Sequence, residues 1–331
     1  MKKTISVLLV MFAALMFVFA NGGAESQEKM NLIIYSAGTE EEAQTVADAF
    51  CEKNPNIEVT IIQASSGDIV TRAKTEWPQP EGDVVFLMGS ENLDQIEEQL
   101  AGYKTKNDKK IKDEYKDTKH DTPKYYATSM PLQAIMYNTE LLKGDMIPKA
   151  WKDLADPKYR GMIELANPAT SGSAYAQLYQ MKCLYGMEFV KAVAENGTVY
   201  VSSSTKGPKD VARGEFAISV TGEANIAQLI ADGSPVAYVH PAEGTGLRTE
   251  GCAILQNCRN EKAAQLFMDF ITSKDGFAVV SSLGRRTVST EVPSPEHLPA
   301  LKDMKFYEYN TDEAASLKKS LQKEFSTYIM N

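Results

Sequence analysis

Thr170, Ser171, Gly172 and Ser173 stand together in ANPATSGSAYAQL, between a short apolar run (GMIEL) and an amphipathic one. The pattern reads as a strand, a turn of uncharged hydroxyls and the start of a helix. The first N–H groups of a helix have no partner within it, and with the helix dipole they favour an anion. Serine and threonine add neutral donors, and glycine lets a ligand approach the backbone. Neutral donors suit a ligand that must also leave, because a lysine or arginine pair would hold it harder. Serine and threonine are also ordinary helix N-caps. Two similar joins follow apolar runs elsewhere: Ser36, Gly38 and Thr39 in YSAGTEEEA, and Gly89 and Ser90 in FLMGSENLDQI. In open α/β sheets, ligands sit at the carboxyl ends of strands, near such turns. Glu243, in AEGTG, places a carboxylate beside two glycines, where it could accept bonds from sugar hydroxyls or an amine, or bind a metal.

Signs of bond chemistry are missing from the sequence. The three histidines are His120 in a charged loop, His297 in PSPEHLP, both expected at the surface, and His240 at a strand end, the best placed to face a site. There is no G-x-S-x-G elbow, no H-E-x-x-H and no glycine-rich loop ending in Lys-Ser/Thr. The expectation is no catalytic residue, no resident metal and no cofactor. Cys51, Cys183, Cys252 and Cys258 show no metal-ligand spacing. If CAILQ is a strand, the six residues from Cys252 to Cys258 span roughly 20 Å, too far for a disulfide unless the chain turns back near Asn257. The net charge of −9 argues against a nucleic-acid surface.

These turns need elements to hold them. The chain has 331 residues, enough for one large or two medium domains. It opens with MKK, the apolar run ISVLLVMFAALMFVFA, and small residues Val18 and Ala20 at the −3 and −1 positions. This reads as a signal peptide cleaved after Ala20, which takes the net charge from −9 to −11 by removing Lys2 and Lys3. Residue 21 is Asn rather than the Cys of a lipoprotein, so a free exported protein is expected. From MNLIIYSAG to GDVVFLMG the order is β-α-β-α-β, the sign of a parallel sheet covered by helices. Residues 101–124 are charge-dense and read as a solvated excursion. YYAT and LQAIMYN flank Pro131 as strands, and a second α/β series follows. Two series separated by crossing strands predict two lobes with a cleft between them.

AWKDLADPKYRGMIELANPATSGSAYAQL, VARGEFAISV, AEGTGLRTEGCAIL and AAQLFMDFITSKDGFAVVSSLGRRTV together resemble the periplasmic solute-binding proteins of ABC importers. The branch is the one holding ferric-ion binders with phosphonate- and sugar-phosphate-binding relatives, and the resemblance spans nearly the whole mature chain. It implies an α/β type II periplasmic-binding-protein fold that closes on its ligand by hinge motion. Sharpened by it, the expected divisions are a signal peptide at 1–20, a flexible linker at 21–29, one lobe from 30–128 and 243–285, and the other from 129–242 and 286–331. The ferric pattern places two adjacent tyrosines after the strand equivalent to EFAISV. This chain has Thr221, Gly222 and Glu223 there, and its adjacent pair, Tyr125 and Tyr126, falls on a crossing strand. The resemblance therefore implies that the Thr170–Ser173 turn holds a phosphate-like group while Glu223 and Glu243 read hydroxyls or an amine. Arg285 and Arg286, in GRRTV, are expected first to close a helix C-terminus and otherwise to complete charge matching at the site. The reading is a monomer that captures a small anionic organic molecule and docks on an inner-membrane ABC permease. Ferric-ion capture is the runner-up. An exported phosphate-ester hydrolase and a ligand-sensing receptor subunit stand behind it.

Overall fold

The computed structural model describes residues 29–296 and 298–329; the expected signal peptide and His297 lie outside the described residues. The chain runs β1 (Met30–Ser36), α1 (Glu40–Lys53), β2 (Ile57–Gln63), α2 (Ser66–Glu76), β3 (Val84–Gly89), α3 (Ser90–Leu93), β4 (Leu100–Ala101), β5 (Tyr126–Ser129) and β6 (Gln133–Asn138). It continues with β7 (Glu164–Ala166), α4 (Gly172–Tyr185), α5 (Met187–Glu195), β8 (Val199–Val201), α6 (Lys206–Ala212), β9 (Ile218–Gly222), α7 (Glu223–Ala231) and β10 (Val236–Val239). It ends with β11 (Thr245–Gly246), β12 (Glu250–Leu255), α8 (Glu261–Ile271), α9 (Lys274–Ser282), β13 (Phe306–Tyr307) and α10 (Thr311–Ile329).

The first sheet has the order β2-β1-β3-β12-β4, with β5 also on β12. β1 is parallel to β2 and β3, as the alternating strands and helices require, while β12 returns antiparallel to β3. Every residue of β3 and β12 is buried, which is why both read as unbroken apolar runs. Phe50, Phe86 and Phe267 form the aromatic centre of this lobe, with Phe267 meeting the other two edge-on at 5.3 and 5.8 Å. The second sheet is antiparallel in the order β10-β6-β9, beside the parallel pair β7 and β8. Its core packs Trp151, Tyr159, Tyr175 and Phe325, all at most 2% exposed.

Two departures from the sequence reading are physical. Residues 101–124 lie at the surface with most of their lysines exposed, as read, but the segment is pinned at a few buried points. Asp269 of α8 accepts from Lys106 N–H and Tyr103 O–H, and Thr105, Asp108 and Asp117 are buried. His120, expected at the surface, is held between Asp117 and Glu97 at 2.8 and 2.9 Å. Helix α6 has no counterpart in the sequence reading because KGPKDVA begins with two helix breakers. Proline is tolerated in a first turn, and Gly207 is required there because a Cβ would lie 2.8 Å from Ser219 Oγ. All four cysteines are free thiols.

Candidate functional site

A cavity lies where the two sheets face each other, and helix starts surround it. Ala37 and Gly38 precede α1; Ser65 and Ser66 open α2; Ser171, Gly172 and Ser173 open α4; Gly222, Ala224 and Asn225 open α7. The loop Ser203–Thr205 before α6 completes the wall. Geometry leaves the first-turn N–H groups of Ser66, Gly172, Ser173 and Ala224 without an intrahelical acceptor. Ser171 Oγ accepts from Ala174 N–H at 3.3 Å and Ser173 Oγ accepts from Gln133 Nε2 at 3.1 Å, so each hydroxyl keeps its own proton to donate. The cavity volume is about 50 Å³, room for on the order of three to five waters. It opens toward a groove of about 650 Å³ lined by Thr39, Glu40, Glu41, Gln44, Lys209, Asn225, Gln228 and Asp232.

The floor is a buried chain of ion pairs. Arg285 donates to Glu42 at 2.6 Å and to Glu250 at 2.8 Å; Arg248 donates to Glu250 and Glu91, each at 2.9 Å. Burial works against ionisation of Glu42, yet the Arg285 guanidinium and the bonds from Thr39 hold its carboxyl below the usual range. Burial alone would likewise disfavour a charged Arg285, and its two carboxylate partners raise its pKa instead. Arg285 therefore faces the cavity instead of closing the C-terminus of α9, as does Glu250. Arg286 is bonded to Glu223 at 2.5 Å and to Pro299 O.

Of the residues singled out in the sequence, Gly38, Ser171, Gly172 and Ser173 line the cavity and Thr39 lines the groove. The others sit behind or away from it. Ser36 is fully buried and accepts from Gly38 N–H. Thr170 bonds the carbonyls of Asn167 and Ser202. Thr221 donates to Ser204 O at 3.0 Å and accepts from Asn225 Nδ2 at 2.9 Å, so it positions two wall segments. Gly89 makes room for Arg248, whose Nη2 would lie 1.8 Å from a Cβ there, and Ser90 is buried beside it. Glu223 is occupied by Arg286 and by His240 at 2.9 Å. Glu243 accepts from Trp151 N–H, Lys152 N–H and Tyr185 O–H; burial opposes ionisation, but these bonds hold its carboxyl low and tie it to the short helix Trp151–Ala155.

Sequence reasoning missed Ser65, Ser66, Ser203, Ser204, Thr205, Asn225, Glu42 and Glu250, and gave Arg285 a place at the site only as its second alternative. Ser65 and Ser66 carry the same hydroxyl-before-helix signal as the Thr170–Ser173 turn and were legible; the others become neighbours only in the fold. Tyr125 donates to Asp94, after α3, and Tyr126 to Asp108 in the 101–124 segment, and burial pushes both phenols up, away from the phenolate form. Among the described residues, no three His, Cys, Asp or Glu side chains come together to hold a metal.

A family model described as bacterial extracellular solute-binding protein matches residues 45–305. An uncharacterized protein of Haemophilus influenzae is 30% identical over 286 residues, covering 83% of this chain and 81% of its own. The periplasmic binding protein AfuA of Actinobacillus pleuropneumoniae, solved with exogenous fructose-6-phosphate bound, superposes with a TM-score of 0.86 at 26% identity, over 91% of this chain and 99% of its own. Iron-bound HitA of Pseudomonas aeruginosa shares the fold, with a TM-score of 0.77 at 18% identity over 89% and 99% of the two chains.

Proposed function

The chain belongs to the bacterial extracellular solute-binding proteins, and from that premise we propose that it captures an organic phosphate or phosphonate in the periplasm and presents it to an ABC permease. One observation carries the ligand class: α1, α2, α4 and α7 all begin at one cavity, so their partial positive ends converge on it. The cavity suits a phosphoryl-sized head. The groove, with Glu40, Glu41 and Asp232 at its sides, suits an organic remainder bearing hydroxyls or an ammonium. The neutral wall, over a floor whose two arginines are already bonded to Glu42, Glu91 and Glu250, favours reversible binding over retention. The bound fructose-6-phosphate of AfuA, 26% identical, supports the same class.

The mechanism is capture by closure. A ligand that touches both lobes favours the closed form by the difference in its affinity for the two forms. The family and the structural relatives are binding proteins, and capture of this kind needs no bond chemistry.

The test is thermal unfolding of the mature, ligand-stripped protein against sugar phosphates, aminoethylphosphonate, phosphoglycerates, inorganic phosphate, and ferric citrate with and without phosphate. Binding to the native state raises the midpoint. A large shift with an organophosphate or the phosphonate and little with inorganic phosphate or ferric citrate supports the proposal. A shift and colour with ferric ion alone would transfer the assignment to iron.

A further inference from the structure

Behind the cavity, the two lobes meet at Asn92. This residue of α3 is fully buried, and its Nδ2 donates to Glu91 Oε1 at 2.8 Å. Two elements that pack with the second lobe close on it. Lys318 of α10, 5% exposed, donates its ammonium to Asn92 Oδ1. The backbone of Gly172, at the start of α4, packs directly against the amide. A Cβ at residue 172 would lie 2.7 Å from Asn92 Nδ2, 3.0 Å from Ser66 Oγ and 3.3 Å from Arg248 Nη2. The contact is returned from the first lobe: Gly67 N–H donates to Thr170 O at 3.4 Å, and a Cβ at 67 would lie 3.1 Å from Ala169 O. Neither Asn92 nor Lys318 lines the cavity.

We infer that Asn92, gripped between Gly172 and Lys318, is a clasp that holds the lobes shut without touching the solute. The inference rests on the solute-capture reading above. The argument is steric first. Asn92 cannot swing aside to admit a side chain at 172, because Glu91 and Lys318 hold its two ends. A methyl group there is accommodated only if the lobes stay apart. It is also electrostatic. An ammonium buried against a neutral amide is costly to leave unbonded, so Asn92 must be in place when Lys318 is enclosed. Affinity then depends on Asn92 and Lys318, which do not line the cavity, because an apparent dissociation constant scales inversely with the population of the competent form.

The experiment compares Gly172→Ala, Asn92→Ala and the double variant with the wild type. It reads small-angle scattering of the folded protein without solute and with saturating fructose 6-phosphate, alongside the dissociation constant. In whichever state the wild type is compact, Gly172→Ala is expected to be larger and to bind at least tenfold more weakly. Asn92→Ala is expected to bind severalfold more weakly. The double variant is expected to be no worse than Asn92→Ala, because the new methyl group enters the space the amide vacates, as contacting residues allow; loss of compaction in the folded protein is the readout that ordinary packing destabilisation would not move. Single variants as compact and as tight as the wild type, strictly additive losses, or a wild type that is compact in neither state would each overturn the clasp. If no sugar phosphate, phosphoglycerate or phosphonate moves the wild-type midpoint while the variants still differ in compaction, the solute assignment fails and the clasp stands.

Discussion

Arg285 is the residue on which the cavity floor depends, since it alone joins Glu42 to Glu250. Arg285→Met should leave two buried carboxylates short of a partner and cost about 3–5 kcal/mol, read as a lower urea midpoint. A variant as stable as the wild type would show that the floor pairs are dispensable. Ser173→Leu tests the wall. Its side chain would fill a cavity of about 50 Å³, and solute affinity should fall at least about tenfold, the scale of an overpacking cost of 1–3 kcal/mol. Retained affinity would remove that turn from the site. At this scale the sequence was half legible. The hydroxyls of the Thr170–Ser173 turn announced themselves, because strand, small residues and helix are local facts. Glu42 and Arg285 did not, because their meaning comes from a contact made across most of the chain. Glu243 was misleading for the same reason: beside two glycines it looked available, and the fold spends it on Trp151, Lys152 and Tyr185.

Among the elements, β7 and α6 carry a consequence for pH. Glu164 of β7 is buried against Asp210 of α6, whose other neighbours are Lys206 and Arg213. Burial first, then the Asp210 carboxylate beside it, pushes the Glu164 carboxyl up to about 7. Burial also disfavours a charged Asp210, but its bond to Lys206 leads the effects that hold it below the usual range. From about pH 4.5 to about 7 the folded chain therefore keeps a proton at Glu164 that the unfolded chain has released. Stability contributed by this group declines as pH rises through that window. Glu164→Gln should flatten that decline and raise the unfolding midpoint at pH 8 by on the order of 2–4 °C. An unchanged pH profile would rule the pair out as its cause. Most elements were legible from period and punctuation: β1 to β3 as apolar bursts, α1 from Thr39 and its acidic first turn, β12 from CAIL. Helix α6 was not, because Gly207 and Pro208 hide it, and with it went Ser203, Ser204 and Thr205. The excursion at 101–124 misled only at its anchors. Most of its charges do face solvent, but a few anchor it, as in Lys116 with Asp108 and the Asp269 carboxylate of α8 with Lys106.

The whole molecule offers one natural probe in each lobe. Trp77 ends α2 and is 37% exposed, whereas Trp151 lies in the second core and donates Nε1–H to Gly244 O at 3.2 Å. The Lys318–Asn92 contact and the packing of α10 on both α3 and α4 tie the lobes together, so urea unfolding should be one transition. Fluorescence of variants keeping only one tryptophan should fall on the same midpoint, and separated midpoints would mean lobes that unfold independently. The same connectivity sets an order of events during synthesis. β12, which pairs with β3, β4 and β5, follows the whole run from β6 to β10 in the chain. As the polypeptide emerges from its N-terminus, β3 waits with an open, entirely apolar edge until residues 250–255 arrive. Such an edge is a template for pairing with another chain. The nascent protein is thus at its most vulnerable to self-association when more than half of it already exists, and a holding chaperone would act in that interval.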